Sequence, residues 1–236
     1  MKYTLIFFII LFFSCSKNKT DNYKLDMNER LTKENAHPNA KEIMNEDFFW
    51  SDIDESGPFG NDDGSDGLFL FREWRASNPK KNPVSFIDYQ LRVWEYPVFD
   101  RNELNSERIS DFVNKETQVD MSGMDEQLKS VMKHLREQAE SAGQPFDEEE
   151  FLKIMTQSSQ NMGRRFLDGQ DNLILSVAFG QYATEGKIHP ELKSIGKNAI
   201  KRQLMPILID SWDESYRETR KKQLTKMLDA LDSMNE

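Results

Sequence analysis

The chain has 236 residues, with 31 lysines and arginines against 41 aspartates and glutamates, which gives a formal net charge of −10 at pH 7. Hydrophobic residues make up 37% of it and charged residues 31%, which is typical of a globular protein and excludes collagen-like, low-complexity and polytopic membrane classes. A single cysteine and three histidines exclude a disulfide scaffold and leave little material for a zinc site. No concentrated basic patch appears, so we expect no nucleic-acid partner.

The first fourteen residues have the pattern of a secretory signal peptide. Lys2 supplies the positive charge, and residues 5–13 read LIFFIILFF, an unbroken apolar run of nine. A helix of that length rises about 14 Å, whereas a membrane span needs roughly 20 residues. We therefore predict a cleaved signal peptide over residues 1–14 rather than a transmembrane anchor.

The residues at the end of this segment suggest a lipid anchor. The small residue Ser14 precedes Cys15, the one cysteine of the chain, and this arrangement resembles the lipobox of bacterial lipoproteins. The resemblance implies that Cys15 is the lipid-attachment residue, that it carries fatty-acyl chains such as palmitate, and that the protein is held in the bacterial cell envelope with the membrane as a partner. Phe12 and Phe13 depart from the common pattern, which has leucine and a small residue there. An ordinary secretory signal with an incidental cysteine is the alternative.

The next segment has the composition of a flexible tether. Residues 15–34 are largely polar and have no periodic apolar face. About 20 residues reach at most ~70 Å when fully extended. We therefore expect the folded body, residues 35–236, to stand clear of the lipid surface.

From residue 35 onward, apolar residues recur at helical spacing between cap and proline signals. The pattern predicts an all-α fold, a single compact domain of about seven to nine helices, with residues 119–124 as a soft candidate boundary. Pro206 is expected to break a helix, because it lacks an N–H group. The predicted helices cover residues 38–44 and 61–76 and begin near residues 83, 105, 128, 147, 171, 190 and 213.

An acidic stretch between Trp50 and Trp74 is the segment that suggests chemistry. Its spacing partly matches a calcium-binding loop, with glycine at the sharp-turn position 6 and an aspartate at position 12, where a bidentate glutamate is usual. Four carboxylates are therefore candidate metal ligands: Asp52, Asp54, Asp63 and Asp66.

The same stretch has a purely structural interpretation, which we favour. Glycine and proline form a turn, Asn61 caps the following helix, and the two aspartates after it favour the positive end of the helix dipole. The structural motif then consists of Pro58, Phe59, Gly60, Asn61, Asp62 and Asp63. On this interpretation the protein needs no cofactor, and calcium remains the alternative.

Several short motifs resemble the YfeS-like family of uncharacterised bacterial proteins. They are LTKENAHP at residues 31–38, FFW at 48–50, PFGNDDGSD at 58–66 and FREWR at 71–75. The FGND run is also similar to the opening of a second helical family that begins with a Gly-x-Phe-x-Asn-Asp motif. The resemblance covers residues 31–97 and, more loosely, 167–208. It implies a helical fold and supplies no catalytic residues, and the Trp-Gly-Arg triplet that labels some members does not occur here.

Two functions of different classes fit the sequence. The first is a non-catalytic envelope module that offers a groove to a protein, peptide or other ligand. The second is a metal-dependent or acid/base hydrolase centred on residues 52–66, with Arg72, Glu73 and Arg75 nearby. Convergence of Asp54, Asp63 and Asp66 on one concave spot would favour the hydrolase.

Two basic runs on predicted helices need no function. They are Arg164-Arg165 and Arg220-Lys221-Lys222, and we interpret both as solvated helix faces. No catalytic residue is assigned from the sequence.

Overall fold

The computed structural model describes residues 29–114, 125–148, 150–151 and 162–236. The predicted signal peptide, Cys15, most of the tether and the soft boundary at 119–124 lie outside the described residues. Within them the chain folds into nine α-helices and one short 3-10 helix, with no strand, which confirms the all-α prediction. The helices are α1 (Pro38–Ile43), α2 (Asp62–Ser77), α3 (Val84–Val93), α4 (Ser106–Val113), α5 (Asp125–Ser141), α6 (Met162–Glu185), α7 (Pro190–Gln203), α8 (Pro206–Ile209) and α9 (Glu214–Ser233), and the 3-10 helix is Asp47–Phe49.

Side-chain caps set the beginnings of several helices where the sequence predicted them. Asn61 accepts from the backbone N–H of Gly64 at the start of α2. Asn105 and Asp213 do the same for the first-turn amides of α4 and α9. These oxygens satisfy N–H groups that have no partner inside the helix.

The predicted break at Pro206 is confirmed, because α7 ends at Gln203 and α8 begins at Pro206 itself. The predicted helix start at Asp171 is wrong. Helix α6 runs without interruption through this position, and Asp171 is fully buried and bound by Arg202. An aspartate whose carboxylate is held by a distant arginine does not compete for the local backbone, so it no longer acts as a start signal.

Helix α6 is the centre of the fold. Nearly every residue from Leu167 to Ala183 is buried, as expected of a helix that is covered on all sides. Helices α1, α2, α3, α4 and α7 pack on it, and α9 packs on α7. None of the helices among the described residues is long and apolar enough to cross a membrane. The N-terminal part of α6, from Arg164 to Asn172, supplies residues that line a polar cleft.

Candidate functional site

The acidic residues of the candidate calcium loop have separate sets of partners. Asp52 forms an exposed ion pair with Arg30 at 2.6 Å, and Asp66 is exposed. Asp54 accepts from the backbone N–H of Ser56 at 3.1 Å and from Gln223 Nε2 at 2.9 Å. Burial pushes the pKa of Asp54 upward, but the hydrogen bonds from Ser56, Gln223 and Tyr216 outweigh it and hold this pKa below its ordinary value.

Asp63 is turned into the protein rather than toward the other carboxylates. It is 6% exposed, accepts from the hydroxyl of Tyr96 at 2.9 Å and forms an ion pair with Arg165. Burial, together with the hydrogen bond to Asp63, raises the pKa of Tyr96 to about 12. No group of three or more histidine, cysteine, aspartate or glutamate side chains is placed to hold a metal ion in the described part of the chain. Asp54, Asp63 and Asp66 therefore do not form one concave acidic site.

The motif from Pro58 to Asp63 builds a very tight turn in front of α2. A Cβ atom added at Gly60 would lie 2.0 Å from the backbone oxygen of Asp54, and one added at Gly57 would lie 2.5 Å from that of Phe48. Only glycine allows backbones to approach so closely. Phe59 is buried in the core, and Asn61 completes the turn as the cap of α2. The described contacts of this motif are thus packing and capping contacts, together with the ion pair and hydrogen bond of Asp63.

A polar cleft of about 420 Å³ lies beside this turn, between the start of α6 and the C-terminal helices. We call it the arginine cleft and define it by six of its lining residues: Arg164, Arg165, Asp168, Gln203, Trp212 and Arg220. Helix α6 brings the first three, α7 ends at Gln203, and α9 supplies Arg220. The site thus depends on helices that are far apart in the sequence.

Arg220 is the most unusual group in the cleft. It is only 3% exposed, and its guanidinium lies with Cζ 5.0 Å from the centroid of the Trp212 ring. Its Nη1 donates to the carbonyl oxygen of Ser56 and its Nη2 to Oε1 of Gln203, while its Nε is buried without a hydrogen-bond partner. No carboxylate among the described residues forms an ion pair with it. The prediction that Arg220 lies on a solvated face is therefore wrong.

The electrostatics of Arg220 follow from this placement. Burial lowers the pKa of Arg220 to about 10, and the charge of Asp168 counteracts only part of this effect. Burying a cation is costly unless an opposite charge and hydrogen bonds compensate it. Among the described residues, Arg220 has hydrogen bonds to neutral groups but no paired anion.

The other two arginines of the cleft each have a carboxylate partner. Arg164 Nε lies 3.3 Å from Oδ2 of Asp168, and its Nη2 donates to the carbonyl oxygen of Leu208 at 2.8 Å. Arg165 is half exposed and paired with Asp63. The sequence indicated a solvated helix face at these two residues, but each of them is paired with a carboxylate. Burial raises the pKa of Asp168, although the charge of Arg164 opposes this.

The sequence held one usable signal for this site. Arg164 and Asp168 are spaced i,i+4, which is the spacing of an ion pair on one helix. Nothing local indicated that Arg220 would be buried, because the run RKK at residues 220–222 has the composition of an exposed face.

A second groove, of about 500 Å³, borders α2 and is lined in part by Arg30, Trp50, Phe59 and Phe69. Phe69 is 55% exposed. Charged side chains such as Arg72 and Glu73 share this lining with the apolar ones, and the structure gives no indication of what would occupy the groove.

Comparison of the chain with protein-family models, with curated proteins and with solved structures finds no match. The function is therefore inferred from the geometry and chemistry of the described residues.

Proposed function

We propose that the protein is a lipid-anchored component of the bacterial cell envelope whose helical body is a non-catalytic binding module. The observation that carries the binding role is the buried Arg220, a cation without a paired anion at the wall of an open cleft. A bound ligand with negative charge would supply the missing compensation. The other two arginines of the cleft are already paired, Arg164 with Asp168 and Arg165 with Asp63, so Arg220 is the cleft arginine that such a ligand would compensate.

The envelope location rests on the sequence. The signal-like segment 1–14 and Cys15 would place fatty-acyl chains at the new N-terminus. Each buried methylene group contributes about 0.8 kcal/mol, so two or more acyl chains hold a protein stably on a bilayer, whereas one holds it only reversibly. The polar segment that follows Cys15 would act as a tether and leave the cleft accessible from the aqueous side.

The anchor is tested by metabolic labelling with an alkyne fatty acid followed by membrane fractionation. We expect the wild-type chain to be labelled and membrane-bound, and C15A to be unlabelled and either released or left as an uncleaved precursor. S16A, which changes the neighbouring residue, serves as the control and should behave as wild type. An unlabelled wild-type chain would show that the lipid-anchor proposal is wrong.

The binding role is tested separately with thermal unfolding of the purified body, residues 29–236. A small-molecule extract of the producing bacterium should raise the unfolding midpoint of the wild-type protein, and dialysis should reverse the effect. An R220Q variant should show a much smaller shift than R92Q, which removes an exposed arginine of α3. No shift with any fraction of the extract would contradict a binding module at this cleft.

A further inference from the structure

Building on the proposed binding role, we propose that the arginine cleft binds an organic monocarboxylate, with the carboxylate on Arg220 and a flat apolar body against Trp212. This ligand class rests on the proposed function, because the cleft binds a ligand only if the protein is a binding module.

The ion pairs of the cleft leave one of its arginines without a carboxylate partner among the described residues. Arg164 is paired with Asp168, and Arg165 is paired with Asp63. Arg220 is the one cleft arginine that forms no ion pair with a described residue. A single carboxylate group would pair with it, whereas a phosphate dianion would bring a second negative charge close to Asp168, Glu55 and Asp213, the carboxylates that line the cleft.

The geometry of Arg220 also fits a carboxylate. Its Nε is a buried donor without a partner, and the adjacent Nη2 is held by the neutral side-chain oxygen of Gln203. Nε and one Nη of a guanidinium form the planar fork that binds the two oxygens of a carboxylate. Binding of a carboxylate at this edge requires Gln203, a flexible amide, to move away from Nη2, after which the two carboxylate oxygens accept from Nη2 and from the unpaired Nε.

The walls of the cleft indicate the rest of the ligand. The Arg220 guanidinium lies over part of the Trp212 ring, and Trp212 and the largely buried Leu208 both line the cleft. Flat aromatic groups pack well on an indole ring, and binding sites commonly combine such walls with a few placed polar groups. A volume of about 420 Å³ lies within the range of small-molecule sites.

Benzoate is the probe, and benzamide is its neutral match in size and shape. We expect benzoate to raise the thermal unfolding midpoint of the body and to shift the side-chain Nε–H resonance of Arg220 in its NMR spectrum. Benzamide, and inorganic phosphate at equal ionic strength, should do neither. Because a hydrogen-bonded charge pair is lost, R220Q should weaken benzoate binding about tenfold or more.

Two further variants keep the test decisive where R220Q fails to fold. W212L retains Arg220 and should weaken benzoate binding by removing the aromatic wall. R92Q, on an exposed face of α3, should bind benzoate as the wild type does.

Equal effects of benzoate and benzamide on the wild-type protein, or binding of phosphate as tight as that of benzoate, would overturn the carboxylate proposal. If the bacterial extract stabilises the body while benzoate does not, the binding module stands and the ligand class is wrong. If neither stabilises it, both proposals fail.

Discussion

Two buried arginines of this protein have opposite environments. Arg202 and Asp171 are both fully buried and bound to each other, with Nε and Oδ2 3.2 Å apart, and Arg202 also donates to the carbonyl oxygen of Arg101 at 2.8 Å. Arg220 has no such partner and borders a cleft. Arg202 thus belongs to an internal structural ion pair, whereas no described carboxylate compensates the charge of Arg220.

The Asp171–Arg202 pair yields a prediction on stability. D171L leaves Arg202 as an uncompensated buried charge, so we expect the free energy of unfolding to fall by about 3–5 kcal/mol. The double variant D171L/R202M replaces both charges by apolar groups and should lose less than the sum of the two single changes. Urea denaturation of all four proteins measures the cycle, and strictly additive losses would contradict a direct ion-pair coupling.

Asp54 yields a prediction on pH dependence. Its pKa in the folded protein lies below the ordinary value of about 3.9, so the unfolded chain takes up this proton first as the pH falls. Its stabilising contribution is therefore present above about pH 5 and is lost as the pH falls toward the lower pKa of the folded protein. D54N should reduce stability at pH 7 and make less difference at pH 3, as measured by urea melts of both proteins. A difference that grows as the pH falls would contradict the hydrogen-bond network of Asp54.

At the scale of the elements, local chemistry explains where most helices begin. The cap of α2 is the clearest example, because Asn61 Oδ1 accepts from Gly64 N at 2.8 Å while its Nδ2 donates to the carbonyl oxygen of Gly57 at 3.2 Å. The Asn61 side chain thus stabilises the glycine turn before α2 and also caps the first turn of α2. The motif acts as a structural unit that joins the tight glycine turn to α2.

We expect N61A to lower the free energy of unfolding by roughly 1 kcal/mol, the usual cost of losing a helix cap. N105A, which removes the equivalent cap of α4, provides the matched comparison and should have a similar effect. Thermal or urea melts measure both. An unchanged stability of N61A would show that water replaces the cap at this turn.

Calcium should not affect the stability of the same region. Because Asp54 and Asp63 are held by protein partners, we expect thermal melts in excess calcium and in excess chelator to give the same midpoint. A ligand at a hundredfold excess over its dissociation constant would stabilise the fold by about 2.7 kcal/mol and move the midpoint by several degrees. A shift of that size that is lost in D52A would restore the calcium-loop interpretation.

At the scale of the whole molecule, the segment just before α1 belongs to the folded body. Leu31 and Ala36 are buried in the main core cluster, and His37 N donates to the carbonyl oxygen of Ala183 at 2.8 Å. The folded unit therefore begins inside the stretch that the sequence assigned to the tether, which was expected to run to residue 34. Leu31 has few apolar neighbours in the sequence, so its burial was not predicted.

This boundary yields a truncation prediction. A chain of residues 29–236 should have the same unfolding midpoint as one of residues 16–236, since it keeps every described contact. A chain that begins at residue 38 loses the buried Leu31, whose burial contributes about 1.5–3 kcal/mol, and should melt several degrees lower. Equal midpoints for all three chains would contradict the placement of Leu31 in the core.

The sequence by itself determined the fold class and the beginnings of most described helices. Caps such as Asn61, Asn105 and Asp213 act on amides two or three residues away, and Pro206 acts on its own turn, so these signals can be read locally. Only the tertiary structure decided the environments of Asp171 and Arg220. Their partners lie far along the chain, at Arg202 and Ser56, and the burial of a charge depends on what the rest of the fold brings to it. Helix starts were therefore predictable from the sequence, whereas the arginine cleft was not.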